Sequence, residues 1–171
     1  MNYTRISKEK YYKLFIPELF SGEYRYNRCY ATIVVENNIY KFAWESDLIS
    51  PIIKEFGIEA VVVSVDHFFS ILRLKDNIVL RCSLNTNIVD VFFKDAWCIG
   101  ICEMNIVVLK ITGIPKYYKE YSVNDFISDY KIDINGIIKL RLFDDTSEMI
   151  NLYDNNKFYN LNQITTINLI K

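Results

Sequence analysis

The chain has 171 residues, and its 20 lysines and arginines nearly balance its 21 aspartates and glutamates. Because 51% of the residues are hydrophobic, the composition predicts one folded domain over residues 1–171, and it excludes both a disordered chain and a basic protein that coats nucleic acid. The single histidine excludes most chemistry that needs several imidazoles, so we expect no metal, no cofactor and no enzymatic activity.

Three segments carry helical signals. The first residues of the segment 7–16 are typical of a helix start, and Pro17 disfavours continuation of the helix beyond this segment. The residues Ser46–Phe56 predict a second helix, with its first residues as the cap, apolar side chains on one face and Gly57 as the stop. A short helix is also predicted over Ser122–Tyr130, from its serine cap and its stripe of apolar residues. We expect one or two short accessory helices in all.

A β-hairpin pattern is repeated along the chain. It occurs as IVVENNIYKF over residues 33–42, as LRLKDNIVLR over 72–81 and as GICEMNIVVL over 100–109, with a degenerate copy over 134–143. Each of the first three copies has an apolar run, a charged residue, one variable residue and then Asn-Ile, which opens a second apolar run. Apolar, β-branched runs around a short polar turn that contains asparagine are typical of antiparallel hairpins.

Such hairpins cannot bury their apolar faces alone and must lie side by side in sheets. The sequence therefore predicts a mainly β (β-rich α+β) fold of serial antiparallel hairpins, which form a meander, a sandwich or a partial-propeller-like sheet. A closed propeller is not favoured, because the glycine-rich turns and signature dipeptides of propeller families are missing. The strand edges of such a sheet leave open a homodimer formed through one of them.

The residues with catalytic or metal-binding potential form no recognisable motif. His67 has no nucleophile or acid at an informative spacing, so we interpret it as a structural or surface residue. Cys98 and Cys102 are four positions apart on a predicted strand, about 13 Å, which is too far for one zinc ion. The acidic segment DDTSE over residues 144–148 fits a solvated hairpin turn better than a calcium loop.

The sequence predicts a cytoplasmic location. The first residues, MNYTRISKEKYYKLF, are interrupted by charge and do not resemble a secretory signal. The most apolar windows, Ile58–Val65 and Ile106–Ile111, are far shorter than the roughly 20 residues of a membrane-spanning helix. The 4 cysteines are interpreted as reduced thiols, since a core of this size needs no disulfides. Frequent Ile, Asn, Lys and Tyr indicate an AT-rich gene, which is compatible with a bacterial source.

Charge is distributed unevenly along the chain. Residues 1–35 contain six basic and three acidic side chains, whereas residues 120–154 contain eight acidic and three basic ones. Tyrosines accompany the acids of the second stretch, and tyrosine is enriched in protein interfaces. We therefore expect an acidic, tyrosine-rich face that attracts a basic partner. The candidate partner-binding residues are Tyr121, Asp125, Asp129, Asp144, Asp145, Glu148 and Tyr153.

The sequence favours a non-enzymatic protein-binding module over two alternatives. The most specific form of this hypothesis is an inhibitor of the immunity type, which neutralises a basic toxin, such as a nuclease, through the acidic face. Neither nucleic acid nor a membrane is expected as a partner, because the chain lacks the net positive charge and the apolar span that these need. The alternatives are a β domain that binds a small ligand in an aromatic pocket and a carboxylate-dependent enzyme of unrecognised family.

Overall fold

The structure, a computed structural model, describes residues 1–23, 25–111, 118–154 and 164–168. Antiparallel strands dominate these ranges, which confirms the predicted mainly β class, and none of their helices has the length and hydrophobicity of a membrane span. The helix is α1 (Lys8–Lys13). The strands are β1 (Tyr3–Arg5), β2 (Cys29–Val35), β3 (Asn38–Trp44), β4 (Ile52–Phe56), β5 (Ala60–Val65), β6 (Phe68–Arg73), β7 (Ile78–Ser83), β8 (Ile88–Lys94), β9 (Trp97–Cys102), β10 (Asn105–Lys110), β11 (Tyr118–Ser122), β12 (Ile127–Ile132), β13 (Ile137–Leu142), β14 (Ser147–Asn151) and β15 (Ile164–Asn168).

The chain divides into two compact units. The first comprises Met1–Asn87 and Gln163–Lys171, and the second comprises Ile88–Asn162. The strands of the first unit form sheets of order β1-β2-β3 and β15-β7-β6-β5-β4, and those of the second form sheets of order β11-β10-β9-β8 and β12-β13-β14. A single domain over residues 1–171 stays a prediction.

The repeated pattern forms hairpins, as predicted. Residues 33–42 span the turn between β2 and β3, residues 72–81 the turn between β6 and β7, and residues 100–109 the turn between β9 and β10. A left-handed backbone is adopted by Glu36 in the first turn and by Asn77 in the second, so this conformation does not require asparagine. The degenerate copy over 134–143 holds only half of a hairpin, because its strand β13 pairs with the preceding β12.

The first unit uses its aromatic residues as core. Phe42 and Trp44 lie on one face of β3, are fully buried and stack with their ring centroids 5.6 Å apart. Phe20 stacks on Phe68 at 5.5 Å. Strand β5 reads AVVVSV and is buried at every position, which explains its continuous apolar run in place of an alternating one. These rings are therefore structural.

The predicted helix over Ser46–Phe56 is wrong. Its second half forms β4, which pairs with β5, and Gly57 opens the turn between them with a φ of 51°. Leu48, which the helical face needed as a core residue, is 92% exposed. The apolar residues concerned are mainly isoleucine and phenylalanine, whose β propensity and pairing with a buried strand outweigh a helical spacing of a few positions.

The predicted helix over Ser122–Tyr130 is also wrong. Strand β12 begins inside this range and pairs with β13. Its exposed Asp129 and Lys131 alternate with half-buried residues, as in a strand with one solvent face. By contrast, the helix that residues 7–16 begin is present as α1, whose cap Ser7 accepts a hydrogen bond from the backbone N–H of Lys10.

An ion pair in the β6–β7 turn predicts a pH-dependent stability. Arg73 donates hydrogen bonds of 2.8 and 2.5 Å to the two carboxylate oxygens of Asp76 and lowers the pKa of that carboxyl below its usual 3.8. Because the folded pKa lies below the unfolded one, the pair stabilises the fold above about pH 4, and this contribution is lost as the pH falls through the lowered pKa. The thermal midpoint should therefore fall more steeply between about pH 4 and 2 in the wild type than in Asp76→Asn. Equal slopes would contradict this.

The two sheets of the second unit share one apolar core. Ile99 and Ile101 of β9 belong to the same buried cluster as Ile138 and Leu140 of β13. The hydroxyl of Tyr130 donates a hydrogen bond to Asp90 and so links β12 to β8. Burial, together with this hydrogen bond to a carboxylate, raises the pKa of Tyr130 to about 12. The hydroxyl therefore stays protonated and keeps its role as a donor at physiological pH.

A glycine in the β12–β13 turn is predicted to be needed for stability. Gly136 has a φ of 75°, and a Cβ on it would lie 2.5 Å from a ring carbon of Tyr153. We expect Gly136→Ala to lower the free energy of unfolding by about 2 kcal/mol, from the left-handed backbone and the displaced ring together. Urea denaturation measures this loss.

Gly57→Ala is the matched control. Gly57 also has a left-handed φ, of 51°, but nothing lies within 4 Å of the position of its Cβ. In this variant the free energy of unfolding should fall by only about 1 kcal/mol, the cost of the left-handed backbone alone. A loss as large as that of Gly136→Ala would show that the contact with Tyr153 contributes nothing.

Candidate functional site

Three turns of the second unit meet at one end of the sheet β12-β13-β14. The backbone N–H of Phe143, after β13, donates to the carbonyl of Phe126, before β12, at 3.0 Å. The N–H of Ile127 donates to the carbonyl of Glu103 in the β9–β10 turn at 2.8 Å, and that of Val123 donates to Met104 at 3.0 Å. Backbone hydrogen bonds therefore hold these three connections together.

Two phenylalanines are exposed where the turns meet. Phe126 is 47% exposed and Phe143 is 70% exposed. Their rings form an edge-to-face pair with centroids 6.5 Å apart. Large apolar side chains that lie together on the surface, rimmed by polar residues, are typical of interaction sites.

Aspartates directly adjoin both phenylalanines in the chain. Asp144 accepts hydrogen bonds from the backbone N–H of Thr146 at 2.9 Å and from its hydroxyl at 2.6 Å, and the hydroxyl and the N–H lower the pKa of Asp144. Asp145 forms an ion pair of 2.6 Å with Arg141, which lies directly opposite Asp129 on the neighbouring strand. We call this surface the acidic aromatic end, and its residues are Phe126, Phe143, Glu103, Asp125, Asp129, Asp144 and Asp145.

The structure brings together four of the seven candidate partner-binding residues. Asp125 directly precedes the exposed Phe126, and Asp144 and Asp145 directly follow Phe143. Asp129 lies on the solvent face of β12, two residues beyond Ile127. Glu148 is in register with the buried Leu140, and its half-buried position belongs to the core-facing side of β14.

Tyr153 lies at the opposite end of the same sheet, whereas Tyr121 belongs to β11 of the other sheet. Tyr121 packs against the core, with its hydroxyl 3.5 Å from the carbonyl oxygen of Asn151, and burial raises its pKa. Tyr153 contacts Gly136, and its hydroxyl donates to Asp95, which raises the pKa of Tyr153. The length of β13, about 17 Å, separates Tyr153 from the acids. The role of all seven residues in binding stays a prediction.

The sequence does not select three residues of this surface: Phe126, Phe143 and Glu103. Phe126 falls within the predicted helix over Ser122–Tyr130, which does not form, and Phe143 is the last residue of the degenerate hairpin copy. Glu103 is the charged residue of the third hairpin copy. The available signal was local: an aromatic residue directly beside aspartates in a predicted turn.

The other candidate centres show no catalytic arrangement in the described ranges. His67 follows β5 in the turn to β6, its ring lies 4.1 Å from that of Phe68, and its imidazole forms no hydrogen bond within these ranges. Cys98 and Cys102 are fully buried on β9. No group of three or more His, Cys, Asp or Glu side chains is placed to hold a metal ion in the part of the chain that the structure describes.

A shallow depression of about 360 Å³ lies on the solvent face of the sheet β12-β13-β14. Its lining includes Lys131, Lys139, Arg141 and Met149. A small-ligand site is usually a deep, mainly apolar cleft with a few convergent polar groups. This depression is open and its lining carries three cations and the carboxylates of Asp129 and Glu148, so it does not resemble such a cleft.

Comparison with known proteins assigns no family and no function to the chain. No family model, no curated protein and no solved structure matches the chain.

Proposed function

We propose that the chain is a non-enzymatic protein-binding module, and that its acidic aromatic end docks on a basic surface of a partner protein. The observation that carries the proposal is the exposed pair of Phe126 and Phe143 within a rim of carboxylates. Binding energy at protein interfaces is concentrated in a few buried aromatic anchors, while charged rims control the rate and the specificity of association. The acidic aromatic end has both exposed aromatic side chains and charged residues beside them.

The turns that carry these residues support the proposal, because they are held in place before any partner binds. The N–H of Asp145 donates to the carbonyl of Leu142 at 3.1 Å, and Asp144 accepts two hydrogen bonds from Thr146. The backbone N–H of Phe126 donates a hydrogen bond to the carboxylate of Asp125 at 2.7 Å. A surface that is already ordered loses little conformational entropy on binding.

The charge of the site favours a basic protein over a second copy of this chain. Arg141 neutralises one carboxylate by its ion pair with Asp145, and Asp125, Asp129 and Asp144 add three further carboxylates to the rim. Two copies docked through this end would bring like charges together, which opposes association. A partner with lysines and arginines around an apolar recess has the complementary chemistry.

The most specific form of the proposal is inhibition of a basic toxin. The substrate-binding cleft of a nuclease is basic because it must hold phosphates, so an acidic surface with an aromatic anchor is suited to block it. This immunity-type role rests on charge complementarity.

The proposal predicts that charge reversal removes one specific partner. The wild-type chain and the variant Asp144→Lys/Asp145→Lys are immobilised, and proteins retained from native lysate at low salt are quantified. A basic protein should be retained by the wild type, released by high salt and depleted at least about tenfold on the variant, because its association is slowed and its docked charges repel.

The matched control carries the same change of net charge in the first unit. Asp47→Lys/Glu59→Lys reverses two exposed acids there. It should retain the same basic protein as the wild type. If all three baits retain the same proteins in equal amounts, the acidic aromatic end is not the docking surface.

A further inference from the structure

The solvent face of the sheet β12-β13-β14 continues from the acidic aromatic end. Lys139, Arg141 and Phe143 are exposed and occupy every second position of β13 and the residue after it, so they share this face. Four residues separate Lys139 from Phe143, which is about 13 Å along a strand. A partner that covers the ring of Phe143 therefore approaches Lys139 from the same side.

Two lysines lie directly opposite each other on this face. Lys131 of β12 is in register with Lys139 of β13, and both are exposed. Residues opposite each other on antiparallel strands have their Cβ atoms about 4.5–5.5 Å apart, and like charges at this spacing are destabilising. Neither lysine forms an ion pair or a hydrogen bond with the described residues. The unbound chain therefore carries a repulsion here that an anionic group would relieve.

An exposed methionine completes this row of side chains. Met149 of β14 is in register with Lys139 and is 73% exposed. Methionine is enriched in protein interfaces, and its flexible side chain adapts to the surface that it contacts. We call Lys131, Lys139 and Met149 the lysine face. All three line the shallow depression on this sheet, which is open enough to receive a projecting group of another protein.

The acidic aromatic end alone is smaller than a stable protein interface, which takes roughly 20–30 residues from each partner. The lysine face continues it on the solvent side of the sheet, but a basic surface there would be repelled. A partner that covers both must therefore present acids beside its basic surface. We propose that the lysine face binds a carboxylate cluster of the same partner protein, an inference that rests on the proposed function. The basic cleft of a nuclease that holds metal ions through carboxylates has this mixed charge.

Cross-linking by a carbodiimide, which couples a lysine amine directly to a carboxylate, tests the two proposals separately. The probe is the basic protein that the wild type retains and Asp144→Lys/Asp145→Lys does not, in complex with the full chain. Mass spectrometry should find Lys131 or Lys139 coupled to an aspartate or glutamate of that protein, and Asp144 or Asp145 coupled to its lysines. Coupling of the two aspartates alone would overturn the role of the lysine face and leave the proposed function in place. If no such protein is retained, or neither kind of coupling forms, both proposals fail.

A mixture of isotope-labelled and unlabelled chain distinguishes the remaining occupant, a second copy. Coupling of Lys131 or Lys139 to a carboxylate of another copy would mean that the lysine face joins two chains, and would overturn the proposal.

Removing the two charges tests their contribution to affinity. Lys131→Gln/Lys139→Gln should weaken binding of the basic protein by at least about tenfold, because its carboxylates lose their ion pairs. Lys10→Gln/Lys75→Gln, which removes two exposed lysines of the first unit, should bind within about twofold of the wild type. Without the partner, Lys131→Gln/Lys139→Gln should raise the thermal midpoint by about 1–3 °C, since the repulsion is gone. Equal affinity of the two variants, or a midpoint of Lys131→Gln/Lys139→Gln below that of the wild type, would overturn the proposal.

Discussion

Replacing Phe143 by alanine is expected to weaken binding of the basic partner by about 30-fold or more, since central aromatic anchors contribute about 2 kcal/mol or more. Phe143 is 70% exposed in the unbound chain, so its ring surface becomes buried only when the partner docks. For the same reason the free energy of unfolding should change by less than about 0.5 kcal/mol. Calorimetric titration with the partner and urea denaturation measure the two quantities.

Ile134→Ala controls for the loss of any exposed apolar side chain from this sheet. Ile134 is 87% exposed and lies in the β12–β13 turn, at the end opposite to Phe143. Its replacement should leave the affinity within about twofold of the wild type. If the two variants bind equally well, Phe143 is not an anchor.

Replacing Lys119 by methionine should lower the free energy of unfolding by about 2–4 kcal/mol. Lys119 lies on β11, is 1% exposed and donates from Nζ to the carbonyls of Leu152 and Asp154. Methionine keeps the aliphatic packing but leaves these carbonyls without that donor. A buried polar group that loses its hydrogen-bond partner costs about 1–3 kcal/mol. Burial lowers the pKa of Lys119, which offsets part of the stabilisation.

Lys139→Met is the matched control for this loss. Lys139 lies on the solvent face of β13, and its replacement should change stability by less than about 0.5 kcal/mol. Hydrogen exchange should also show faster exchange around residues 152–154 in Lys119→Met alone. Equal stability of the two variants would show that Lys119 does not hold the segment after β14.

The fold class was predictable because the hairpin signal is local. A run of β-branched residues, a polar turn and a second run specify a hairpin within about ten residues, as in β9 and β10. The helix over Ser46–Phe56 failed because its apolar spacing fits a helix and a strand equally over so short a range. Which of the two forms depends on β5, a neighbour that adds pairing and burial and that the local pattern does not contain.

The acidic character of the candidate site could be predicted from the sequence, but the spatial arrangement of its residues could not. The concentration of acids in residues 120–154 is a property of composition, and four of the predicted acids lie at one end of a sheet. Their separation from Tyr153 depends on strand register, which a sequence without a structure does not show. Phe143 is exposed because Ile138, Leu140 and Leu142 are the buried positions of β13, so the alternation of the strand puts the following residue on the solvent side.

A photo-cross-linking amino acid at position 143 tests the central claim most directly. The account predicts that illumination in native lysate attaches one basic protein at position 143, that the same label at position 134 does not attach it, and that Asp144→Lys/Asp145→Lys in the labelled chain prevents the attachment. Attachment of that protein with equal yield from position 134, or attachment that survives the charge reversal, would contradict docking through the acidic aromatic end.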